Sequence, residues 1–259
     1  MTQTAPVVTR PFLAAANDRN ILKWAAVCGL ANFPITAGMF PVVGAYPYPD
    51  NNLADVKPYL DIYTSYGQIC AILTMLLNIS LGGFCILLSI LYVRLQGGWG
   101  MASMTLLLSS VMQIVLMFLA MAPLGVMAFI AGGSPRFSAK DPFWLNLTAF
   151  CWTWMQWTYA VMWVFIGVMW IALWYAEKIT SVLSPRAVRA LPWIGGLHLC
   201  SLATLFIYRG PFSPASYGIG TPLLGLSSVW LGWASWALLR ALRRAGRRPE
   251  EVSEKPLSE

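Results

Sequence analysis

The single histidine of this chain, His198, lies in Gly195-Gly196-Leu197-His198-Leu199-Cys200, where small neighbours let a flat ring approach the backbone. Two roles suit an imidazole in so apolar a segment. It can be the axial ligand of a haem or chlorin, or it can bond a carbonyl on a neighbouring helix. A bis-histidine haem would draw its second ligand from another subunit. Upstream, positions 152, 156, 159, 163, 166, 170 and 174 recur at spacings of three and four, which puts Trp152, Gln156, Tyr159, Trp163, Trp170 and Trp174 on one helical stripe. Rings supply area and the amide supplies orientation, so the stripe could line a pocket for a sterol, quinone or hydrocarbon. A helix-packing seam and a lipid-facing surface fit the same spacing.

The remaining inventory is poor in reactive groups. One histidine leaves no multi-histidine metal site within the subunit, and no metal ligand or catalytic residue is assigned. The five cysteines, at 28, 70, 85, 151 and 200, include no C-x-x-C pair. Cys70 and Cys85 would stand about 22 Å apart on one helix, too far to bridge. All five read as small packing residues. Most of the amides Asn32, Gln68, Asn78, Gln113, Asn146 and Gln156 and of the Ser and Thr hydroxyls should bond between helices at roughly 0.6 kcal/mol each. Six methionines, from Met101 to Met127, line one segment and suit either an adaptable cavity or core.

The elements that must position these residues follow from where charge is absent. The chain has 259 residues, 58% hydrophobic and 10% charged, and soluble domains carry about a quarter charged residues. Windows 24–49, 62–93, 95–135, 142–176, 190–208 and 210–239 hold no Asp, Glu, Lys or Arg. Each can carry a membrane-spanning helix of about 20 residues. The fold class expected is an all-α polytopic membrane bundle of six transmembrane helices. They fall at about 23–45, 63–93, 101–131, 143–175, 190–208 and 217–239, between tails at 1–22 and 243–259. Pro34 and Pro41 predict a kink or break in the first span, and Pro123 a kink in the third. Gln96-Gly97-Gly98-Trp99-Gly100 predicts a tight hairpin turn. Asn52 to Asp55 has the pattern of a helix cap in an outer loop, and Asp141-Pro142 that of a helix start. Trp144 and Trp174 suit the two interfaces, as do Trp230, Trp233 and Trp236 the inner one. Residues 245–259 read as a frayed tail.

Charge orients the bundle. With both termini inside, thirteen basic residues lie on the cytoplasmic side and four outside, as the positive-inside rule requires. Asp18 and Glu177 count among the inner charges. The net +7 then sits wholly on the inner side, where it attracts anionic lipid at roughly 1 kcal/mol per basic residue. That localisation argues against a nucleic-acid partner. No cleavable signal is visible in residues 1–20, so the first span reads as its own anchor.

Between residues 46 and 242 the chain resembles a family of six-span bacterial membrane proteins, mainly actinobacterial, that carries no assigned activity. The resemblance rests on Pro47-Tyr48-Pro49 with Leu53-Ala54 and a following Tyr59 or Tyr63, then Arg94 with Gly97-Gly98. It continues through Ser134-Pro135-Arg136, Asn146 and Trp152, Pro192-Trp193, and Arg209-Gly210-Pro211-Phe212 with Gly218. In the family an Asp follows the Asn that opens span four, whereas Leu147-Thr148 stand here. The resemblance implies the six-helix fold and no chemistry.

These features predict a noncatalytic multi-pass protein of the plasma membrane, the inner membrane of a cell with two. Its partners would be membrane lipids, with a homo-oligomer or larger membrane complex possible in principle. It would serve as an accessory subunit or as a binder of an apolar small molecule along Trp152, Gln156, Tyr159, Trp163 and Trp170. A small transporter of lipophilic substrates and a pigment-binding subunit using His198 are the alternatives.

Overall fold

Helix follows helix along the chain. The computed structural model describes residues 15–43, 68–131, 142–206 and 217–253, and among these no strand occurs. The elements are α1 (Ala16–Val43), α2 (Gln68–Gln96), α3 (Met101–Ala131), α4 (Pro142–Thr180), α5 (Pro185–Cys200) and α6 (Tyr217–Ser253), with a 3-10 turn (Ser201–Phe206) continuing α5. Windows in α1, α2, α3, α4 and α6 are long and apolar enough to cross a membrane. α5 is a 16-residue α-helix, about 24 Å long, and reaches further only through its six-residue 3-10 extension. It begins at Pro185, ahead of the predicted 190, because Ser184 accepts a bond from the Ala187 amide and Pro185 is preset for the first helical position.

Several boundaries differ from the sequence expectation. α1 starts at Ala16, so residues 16–22 of the expected tail are helical, and α6 runs on through Ser253. Once nucleated by packing, a helix extends cheaply into polar sequence. α1 passes Pro34 and Pro41, and α3 passes Pro123, without a break. α4 begins at Pro142 as expected, while Asp141, the Asn52–Asp55 cap and Cys70's side chain lie outside the described residues. The hairpin turn forms as predicted: Gly97 takes φ +73°, its amide donates to Arg94 O (3.3 Å), and Gly98 donates to Val93 O (3.0 Å). That pair of bonds is a Schellman ending, which favours glycine at the left-handed residue.

Each helix packs on its neighbours in sequence, and α6 returns to α1 to close the ring. Two close approaches set the spacing. A β-carbon on Gly29 of α1 would lie 2.0 Å from Ser235 Oγ of α6. On α4 and α5, a β-carbon on Gly167 would stand 3.0 Å from Gly195 O, and one on Gly195 3.1 Å from Gly167 O. Small residues at such crossings allow backbone contact.

The interior is a mainly apolar core threaded by buried polar groups, and the outer faces are apolar as well. Gln113 Nε2 donates to Asn78 Oδ1 (2.5 Å) across α3 and α2. Asn32 Nδ2 donates to Leu77 O (3.0 Å) and Ser80 Oγ (2.8 Å) across α1 and α2. Thr36 and Ser228 hydroxyls meet at 2.7 Å across α1 and α6. Meanwhile α3 exposes Met104, Leu108, Val111, Val115 and Phe118 along one face, and α4 exposes Phe150, Trp154, Trp157 and Val161. A soluble monomer rarely exposes an apolar face of several turns. This distribution is that of a multi-pass helical membrane protein.

Candidate functional site

The α4 stripe divides when its neighbours are in place. Trp152 and Gln156 are helical, and their side chains lie outside the described residues. Tyr159 and Trp163 are partly exposed. The Tyr159 hydroxyl lies 3.9 Å from Met121 Sδ on α3. Trp163 stacks obliquely on His198, ring centroids 5.4 Å apart, so the structure joins two sites that the sequence presents separately. Trp174 lies near the C-terminal end of α4, where Lys178 Nζ sits 3.7 Å above its ring.

His198 is fully buried. Its Nδ1 lies 2.8 Å from Ile194 O, and since a carbonyl only accepts, Nδ1 carries the proton of the neutral ring. Nε2 then accepts from the Ser227 hydroxyl of α6 at 3.3 Å. An axial ligand to haem would use the Nε2 lone pair, which here faces Ser227. The carbonyl partner belongs to the histidine's own helix, and the neighbouring helix supplies a hydroxyl.

Two turns of α4 further in, Trp170 is fully buried, its ring at 4.9 Å and 69° to that of Trp230. Trp230 in turn meets Phe84 edge-on at 6.3 Å and donates its Nε1 hydrogen to Ala187 O (3.0 Å). Trp230 therefore belongs to the core, where the sequence placed it in the interfacial belt. Trp233 and Trp236 do stay exposed. Among the described residues, Trp170 Nε1 is a buried donor with no partner. Leaving such a donor unpaired costs about 1–3 kcal/mol.

Deeper still lies Glu177, counted among the solvated inner charges from sequence. It is 2% exposed, because α4 continues past it and folds α5 back over it. Its carboxylate accepts from the Tyr92 hydroxyl of α2 and from the Leu183 amide (2.8 Å). Asp18 is likewise buried, and pairs with Arg94 Nε at 3.0 Å. The signal for Glu177 was present in the stripe, since 163, 166, 170, 173 and 177 continue its three-four spacing. Ser227 had no such signal, because only the fold sets it opposite His198.

The four cysteines whose side chains are described are free: Cys85 and Cys151 are buried, Cys28 is half-buried and Cys200 exposed. Among the described residues no group of three or more His, Cys, Asp or Glu is placed to hold a metal ion. Comparison with protein-family models, curated proteins and solved structures returns no match for this chain. Function must therefore be argued from the column Trp163, His198, Ser227, Trp170, Trp230.

Proposed function

We propose that this is a noncatalytic protein of the plasma membrane, with six transmembrane helices and both termini cytoplasmic, that binds an apolar small molecule at the α4–α5–α6 aromatic column. The observation that carries the ligand reading is the Trp170 indole N–H, buried against the Trp230 ring and without an acceptor among the described residues. Native interiors leave few donors unpaired, and each one calls for a missing partner. A flat molecule with one carbonyl or hydroxyl oxygen, of quinone or sterol type, supplies both ring contact and the acceptor. A plain hydrocarbon supplies only the first. Partly exposed Tyr159 and Trp163 give the column an edge toward the lipid from which such a molecule enters.

The test is mass spectrometry of small molecules that co-purify with the full chain, compared with detergent-only controls and with Trp170→Phe. Wild type should retain an oxygen-bearing apolar molecule, and the phenylalanine variant, which keeps the ring and loses the donor, should retain about tenfold less, as one hydrogen bond of roughly 1.4 kcal/mol implies. Absence of any enriched molecule, or equal retention by the variant, would overturn the ligand reading. The α5 span is supported by the charge-free stretch 190–206, helix and 3-10 extension together, about 28 Å of chain.

A further inference from the structure

The antiparallel packing of α1 on α6 gathers basic residues of both helices at one end of their seam. Thr36 meets Ser228, Gly29 meets Ser235, and a β-carbon on Gly232 would stand 3.6 Å from Phe33. These three contacts share one register, in which each step back along α1 is a step forward along α6. Continued toward the start of α1, it sets Trp24 level with Arg240, Lys23 with Ala241 and Arg19 with Ala245. Arg243 and Arg244 fall within a turn of these positions. Arg19, Lys23, Arg240, Arg243 and Arg244 are all exposed. Among the described residues none of the five forms an ion pair, since Asp18 holds Arg94 and Glu177 is buried against Tyr92 and Leu183.

Exposed indoles fix the depth of this collar. Trp24 and Trp236 flank it, and the Arg240 guanidinium lies 3.5 Å over the Trp236 ring. Tryptophan settles at the level of lipid headgroups. Lys178 over Trp174 is a second indole–cation pair, at the corresponding end of α4. Away from the collar, the same two helices expose Val27, Phe33, Val229 and Trp233, which offer acyl chains an apolar surface.

We propose that this collar binds the headgroup of an anionic phospholipid. Five cations with no acid paired to them among the described residues favour an anion at headgroup depth, and the Arg240 guanidinium stacked on Trp236 can turn its N–H edge to phosphate oxygens. An acyl-bearing phosphate suits the site better than a free one because the cations and the apolar surface are continuous. The inference rests on the membrane reading proposed above and is independent of any ligand at Trp170.

The test uses the full chain in nanodiscs of phosphatidylcholine mixed with cardiolipin or phosphatidylglycerol, with mass spectrometry of lipid retained after transfer to detergent. Wild type should hold anionic lipid enriched on the order of tenfold over the bulk mixture, well within what five juxtamembrane cations allow. The triple variant Arg240→Gln, Arg243→Gln, Arg244→Gln should return the ratio to bulk. A control of equal charge loss, Lys178→Gln, Arg186→Gln, Arg189→Gln, should keep the enrichment. If the α6 triple variant fails to fold, Arg19→Gln with Lys23→Gln removes the α1 half of the collar and should lower the enrichment. Bulk composition around wild type, an equal loss in the control, or full displacement by millimolar inorganic phosphate would each overturn the site. Failure of folded wild type to enter nanodiscs would overturn the membrane reading and the collar with it.

Discussion

At the scale of residues, Glu177 ties the α4–α5 connection to α2, accepting from Tyr92 at one oxygen and from the Leu183 amide at the other. Glu177→Ala removes both bonds and orphans a buried amide, whereas Tyr92→Phe removes one. The alanine variant should cost about 2–4 kcal/mol and the phenylalanine variant about 1–2 kcal/mol, read as the order of unfolding midpoints in detergent. Equal midpoints for the two would show that the Leu183 bond contributes nothing. The Asp18–Arg94 pair is expected to be weaker. Arg94 is 46% exposed, so a double-mutant cycle with Asp18→Asn and Arg94→Gln should return a coupling below about 1 kcal/mol. Residue type hid both burials, since an acid just outside an apolar window looks solvated until a neighbouring helix covers it, and only for Glu177 did the three-four spacing carry a signal. His198 shows the converse. Its burial was legible from its apolar segment, but its Ser227 partner, 29 positions away, was not.

At the scale of elements, two helix crossings depend on the absence of a side chain. Gly29→Val would drive carbon into Ser235 Oγ, and Gly167→Val would press on Leu199 and on the Gly195 carbonyl. Each should destabilise by about 1–3 kcal/mol or more and show as aggregated material in size-exclusion chromatography. Gly38→Ala and Gly196→Ala, where an added carbon meets nothing within 4 Å, should leave elution and midpoint unchanged. The helices themselves were legible because charge-free length is the condition for spanning, and the α2–α3 hairpin because Gly97 satisfies a left-handed turn. Their ends were not. Ser184 and Pro185 start α5 early, and α4 reaches Thr180 because Ala176 and Glu177 are held in the core.

At the scale of the whole molecule, the ring α1–α2–α3–α4–α5–α6 buries serines, threonines and amides within an aliphatic and aromatic core while also exposing apolar side chains on its outer faces. With α5 crossing alongside the five longer helices, as proposed above, six crossings would return the C-terminus to the side where the N-terminus began. Reporter domains fused to either end should therefore both report the cytoplasm, and a split result would require an odd number of spans. The same arrangement assembles the column on α4, α5 and α6 and the collar on α1 and α6 from residues more than 200 positions apart at the extremes. Hydropathy and charge, which act on each segment separately through the cost of burying them in lipid, were enough to determine that the chain is helical and roughly where its long apolar helices run, and they predict that both ends share a side. Which face of each helix turns inward, which acids lose their water and which indole is left without an acceptor depend on pairwise contact between distant segments. Periodicity on one helix names the faces available, and only the packing of its neighbours selects among them.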